Sequence, residues 1–167
     1  MDASEVLIEM YDRVVPLAKQ AVAGLDAEAL RLAPDGANSI GWLVWHLTRV
    51  QDDHLSALFE SEQVWVEAGW AERFGLDADP NNIGWGHSPD DVARVRPESV
   101  DALLEYLDAV DSRSRTWLRG LTSADLDRII DKRYDPPVTM GVRLVSVADD
   151  CLQHVGQANY LRGINLR

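Results

Sequence analysis

The feature that leaves this chain the fewest folding options is a helical beat that returns in four long stretches. Nowhere does the two-residue alternation of a half-buried strand replace it. In the last stretch Val145, Ala148, Leu152, Val155 and Asn159 recur at three- and four-residue steps. A second stripe runs beside that one through Val147, Asp150, Cys151, His154, Ala158 and Leu161. The first stretch carries Leu7, Met10, Tyr11, Val14, Leu17, Ala18, Ala21 and Leu25, and the second carries Ile40, Leu43, Leu47, Val50, His54 and Leu58. The third carries Val100, Leu103, Leu104, Leu107, Val110, Trp117 and Leu118. Each stripe needs an apolar partner, and four such helices satisfy one another. The expected fold is therefore an all-α four-helix bundle, with helices over about 3–24, 38–59, 97–120 and 139–163.

The breaks between the stripes have their own chemistry. Ser4 reads as the first N-cap and Pro16 as a kink inside that helix. Asp26 to Leu30 and Thr122 to Leu126 read as short capped turns, and Ser88-Pro89-Asp90-Asp91 as a capped helix start. Asp135-Pro136-Pro137 breaks the chain, and Gly163 is placed to end the fourth helix. Between Glu60 and Asp91 the periodicity fails, in a segment holding Trp65, Trp70 and Trp85 among glycines and Pro80. Irregular crossovers of that length in compact domains carry function or move.

A chain of 167 residues suits one domain, here residues 1–167, with room for a sizeable core. The formal net charge of −12 argues against nucleic acid as a partner, because gripping a phosphate backbone needs a basic face. It equally disfavours an anionic membrane surface. No apolar run approaches the roughly 18–20 residues of a membrane span, and the N-terminus has no signal pattern. Cys151 is the single cysteine, so no internal disulfide is available. A cytoplasmic protein acting on a small molecule is expected.

Asp150 and His154 are four residues apart and project from one helical face about a turn apart. Two donors at that spacing can share a metal ion if a third comes from elsewhere, and His46 in the second helix is the best third donor. The competing reading is a hydrogen-bonded cluster in which Asp150 fixes an imidazole tautomer. Cys151 is a candidate fourth ligand or a nucleophile activated by His154, although a lone buried cysteine is more often a small hydrophobe. Asp149 is the spare ligand. Asp53 and His54 lie about 10 Å along the helix from His46 and cannot share its ion. His87, set among glycines, is a candidate acid–base group. Trp42 and Trp45 flank His46 and are candidate walls for a bound cofactor or substrate.

These segments resemble the DinB-like family of four-helix bundles, also called YfiT-like metal-dependent hydrolases. Gly41-Trp-Leu-Val-Trp-His46 is similar to the family's first metal-histidine segment. Gly84-Trp-Gly-His-Ser-Pro-Asp-Asp-Val-Ala93 is similar to the middle loop of one branch. His154-Val-Gly-Gln-Ala-Asn-Tyr-Leu-Arg162 is similar to the closing motif, the most specific of the three. Typical members carry a second histidine where this chain has Asp150, so the implied ligand set is His46, Asp150 and His154. The resemblance further implies Gln157 and Arg162 as supporting groups, a zinc or nickel ion, and a homodimer. Characterised relatives include bacillithiol and mycothiol S-transferases, which join a low-molecular-weight thiol to an electrophile. Thiol transfer is thus the expected activity. Metal-dependent hydrolysis, or a non-catalytic metal-binding bundle linked to stress, is the alternative.

Overall fold

A computed structural model describes residues 1–34, 36–67 and 69–165. Its helices are α1 (Ala3–Tyr11), α2 (Val14–Val22), α3 (Ile40–Leu58), α4 (Pro89–Arg94), α5 (Val100–Leu118), α6 (Ser123–Leu126) and α7 (Met140–Asn165). A two-stranded antiparallel hairpin, β1 (Ile129–Asp131) and β2 (Val138–Thr139), precedes α7. The α1–α2 pair, α3, α5 and α7 form the expected all-α four-helix bundle. No helix among the described residues is long and apolar enough to cross a membrane.

The first helix is two helices rather than one kinked at Pro16. Proline cannot donate to the carbonyl of Asp12, and its ring crowds that carbonyl. The chain accordingly stops at Tyr11, with Asp12 as C-cap, and restarts at Val14. Its N-cap is Asp2, not Ser4. The Asp2 carboxylate accepts from the Glu5 amide at 2.9 Å and the Glu5 carboxylate accepts from the Asp2 amide at 2.8 Å. Ser4 instead donates to the Leu121 carbonyl at 3.0 Å, fastening α1 to the far end of the bundle. The capped starts at Ser88 and Thr122 form as read, each a reciprocal capping box. Gly163 does not end the last helix, which runs on to Asn165.

α7 buries Leu144, Val147, Ala148, Cys151, Val155, Ala158 and Leu161. That line takes members from both stripes of the sequence and leaves Val145 at 49% exposure. α3 is the centre of the domain, for every residue from Ile40 to Asp52 is buried. A helix of a simple bundle keeps one face in water. α3 cannot, because the crossover after Glu60 is laid along its outer side. Trp65 and Phe74 of that crossover pack on Tyr106 of α5, with ring centroids 5.4 and 5.8 Å away. Burying such a ring fully contributes about 1.5–3 kcal/mol. The hairpin escaped the sequence reading because strands of three and two residues show no period.

Candidate metal centre

α3 supplies His46 while α7 supplies Asp150 and His154. One ligating atom from each lies within 4.8 Å of the others. The two imidazoles are oriented by the groups behind them. His46 Nδ1 donates to the carbonyl of Ile83 in the crossover, which leaves the Nε2 lone pair free. His154 Nδ1 donates to Gln157 Oε1 at 2.9 Å, again freeing Nε2, which lies 3.5 Å from Asp150 Oδ1. Partners of this kind fix tautomer and ring angle in metal sites and raise ligand basicity.

Asp150 gives the test of whether an ion fits. Among the described residues, two buried carboxylate oxygens lack a hydrogen bond, Asp12 Oδ1 and Asp150 Oδ2. Asp12 Oδ1 faces the Arg115 guanidinium at 2.8 Å. Asp150 Oδ2 has no such cation, and an unsatisfied buried anion oxygen is costly. Two imidazole nitrogens and this carboxylate are a donor set suited to a first-row divalent ion. The local electrostatics separate the two imidazoles. Burial pushes His46 below the usual histidine range and keeps it a neutral donor. The Asp150 carboxylate pushes His154 up, against the opposing effect of burial, so an ion held there would displace a proton.

The aromatic wall follows from the same stretch of α3. Trp42 stacks on His46 with centroids 4.5 Å apart and planes 18° from parallel, and meets His154 edge-on at 6.3 Å. Its indole donates to His87 Nδ1 at 3.1 Å, so the His87 proton sits on Nε2 and is donated to Asn82 Oδ1 at 2.9 Å. Trp45 is fully buried and stacks on His87, centroids 5.8 Å apart. With both nitrogens engaged and its pKa lowered by burial, His87 braces Trp42 instead of standing free as an acid–base group. Cys151 is buried, donates to the Leu47 carbonyl at 3.4 Å, and has its pKa raised by that burial. It packs as a small hydrophobe. Gln157 serves His154, and Arg162 donates to the Ala21 carbonyl at 3.2 Å, with no acid partner among the described residues. Asp53 and His54 pair with each other at 3.2 Å, away from the triad.

Three supporting features were not visible in the sequence. Gly84 adopts φ +92°, and a Cβ there would come within 2.7 Å of His46 Nδ1 and 3.0 Å of both Trp42 and Trp45. The crossover can close over the histidine only with glycine at that point. Gly84→Ala should therefore break the Ile83 bond to His46 and weaken metal binding about 10–100-fold, the usual cost of losing an outer partner. A chelator-competition titration checks this, and wild-type affinity in the variant would contradict it. The second feature is Arg49, wholly buried one turn along from His46. Its guanidinium donates to the carbonyls of Asn82 at 3.1 Å and Pro80 at 2.9 Å, to Gln63 at 2.9 Å and to Tyr106 at 3.2 Å. The third is Asp52, which accepts from the Val64 and Trp65 amides at 2.9 and 2.8 Å and from the Tyr106 hydroxyl at 2.8 Å. Together Arg49 and Asp52 moor the crossover that carries Ile83.

A cleft of about 190 Å³ opens beside the triad, lined by His46, Asp150, Val50, Ile83, Trp85 and Arg143 among others. Trp85 is 87% exposed at its mouth.

With this geometry in place, the comparisons are direct. The family profile of the DinB superfamily matches residues 10–158, and the chain belongs to that superfamily. A solved structure, the crystal structure of a conserved protein from Enterococcus faecalis, shares its fold with a TM-score of 0.89. The two are 32% identical, over 97% of this chain and 96% of that one. No curated protein matches the sequence.

Proposed function

We propose that the protein is a metal-dependent enzyme that joins a low-molecular-weight thiol to an electrophilic small molecule, with His46, Asp150 and His154 holding the ion. The observation that carries this reading is openness: of three oriented donors, His46 and Asp150, the latter an unsatisfied carboxylate, border a cleft. A structural site is closed by four protein ligands, whereas a catalytic one keeps a position free. Cys151, the nearest fourth candidate on α7, donates its thiol to the Leu47 carbonyl.

A bound zinc or nickel ion would supply the positive charge that keeps a thiol ionised at neutral pH. The chain's own residues prepare the place for it. Ile83 and Gln157 hold the imidazoles in the right tautomer, Trp42 excludes water from one side, and the cleft admits the second reactant. Resemblance to thiol transferases favours a thiol over water as the nucleophile. The donor set itself serves hydrolysis equally well, so one assay must compare the two. Zinc- or nickel-loaded protein is incubated with N-acetylcysteine and an activated aryl halide, and in parallel with an aryl ester. Thioether formation that is lost on chelation and in His46→Ala is the expected result. Ester hydrolysis without thioether would transfer the site to the hydrolase reading. Failure of the wild type to retain either ion would sink both.

A further inference from the structure

The cleft does not end at the triad. His54 and Arg143 line it and also line a second depression of about 450 Å³, together with Arg128, Ile130, Asp131 and Arg133. The two spaces meet at that pair. α3 and α7 run antiparallel here, so His46 lies opposite Asp150 while His54 lies toward Arg143. Asp150 and Arg143 are seven residues apart on α7, about two turns or 10 Å along one face. Ser146 and Val147 line the cleft between them.

Arg143 is the unusual member. Its side chain is 25% exposed, and among the described residues its guanidinium donates no hydrogen bond. Its one acidic neighbour among the described residues, Asp131, makes only a long ion pair with it at 3.8 Å and is held more closely by Arg133. Asp131 accepts from Arg133 Nε at 3.0 and 3.2 Å, from Arg133 Nη2 at 2.7 Å and from the Arg133 amide at 3.0 Å. Of the other charges, Glu60, Arg128 and Arg133 line the depression, Asp150 lines the cleft, and His54 is paired with Asp53. A guanidinium matches carboxylate and phosphate oxygens in a planar fork. In a chain of net charge −12, a guanidinium in a cleft with only a long ion pair and no hydrogen bond among the described residues marks where an anion is drawn.

We infer that Arg143 forms an anion subsite, so that the substrate carries a carboxylate or phosphate about 10 Å from the atom that reacts at the triad. The inference rests on the metal reading for the reacting end only. Arg143 positions the substrate and takes no part in bond making.

The test is calorimetric titration of zinc-loaded protein with straight-chain mercapto-carboxylates of graded length, their methyl esters and the matching phosphonates. Affinity should peak at one length, with the acid about tenfold tighter than its ester, the scale of one charge-assisted hydrogen bond. Carboxylate against phosphonate at that length tells which anion is preferred. Arg143→Gln should remove the acid's advantage while leaving the ester's affinity and the zinc content unchanged. Arg143→Lys should restore only part of it, for want of the fork. Equal binding of acid and ester by the wild type, or equal loss of both in Arg143→Gln, overturns the subsite. If zinc is not held, the triad reading fails alone. The subsite is then read on metal-free protein with a straight-chain dicarboxylate, whose binding must depend on Arg143.

Discussion

Replacing Arg49 by methionine is expected to cost about 3–5 kcal/mol of folding stability, the penalty for leaving a buried charge without its partner. Arg49 and Asp52 have side chains 0% and 1% exposed, so neither can turn to water when the other is lost. Asp52 would keep the Val64 and Trp65 amides and the Tyr106 hydroxyl, which burial holds protonated, but it would lose the Arg49 guanidinium at 3.4 Å. The carbonyls of Pro80 and Asn82 would lose a donor as well. Lysine should rescue little, because one ammonium cannot reach acceptors spread around a planar fork. The loss should also reach the triad, since Asn82 is next to Ile83, whose carbonyl holds His46. Urea unfolding measures the first effect and chelator competition the second. A stability loss below about 1 kcal/mol, within the range of an exposed ion pair, would show that the crossover is moored some other way.

Arg49 also shows where the sequence stops being readable. The bundle was legible because each core face repeats within its own helix, and a local period survives in the order of residues. His46, Asp150 and His154 were legible for related reasons, the latter two through their four-residue spacing and His46 through its motif. Arg49 looks like an ordinary helical arginine. Its burial depends on Pro80 and Asn82, more than thirty residues later in a segment with no period at all. His87 likewise looked like a free loop histidine, and only the fold reveals Trp42 and Asn82 at its two nitrogens. The misplaced stripe on α7 has a different cause. With apolar residues at both Val145 and Val147, the register that faces the core is set by α3, and no feature of α7 alone selects it. Gly84 was noticed among other glycines, yet the reason for it is the His46 ring across the turn.

The ligand set itself makes the sharpest prediction, a split between two substitutions on one face of α7. His154→Ala should lower zinc or nickel affinity by more than about a hundredfold, since loss of an outer partner alone costs 10–100-fold. Among the described residues no neighbouring donor is free to replace it. Asp149 accepts from Gln153 at 2.7 Å, Cys151 is committed to the Leu47 carbonyl, and both His87 nitrogens are engaged. Asp150→His, by contrast, should keep the ion. It preserves three donors at the same four-residue spacing, and the cleft that borders Asp150 leaves room for the longer side chain. The exchange raises the charge of the site by one, so the ion it holds should be the stronger Lewis acid, with less preference for harder ions. Elemental analysis after dialysis reads metal content, and circular dichroism confirms that each variant is folded. Retention of wild-type metal content by a folded His154→Ala, or its loss from a folded Asp150→His, would refute this ligand set.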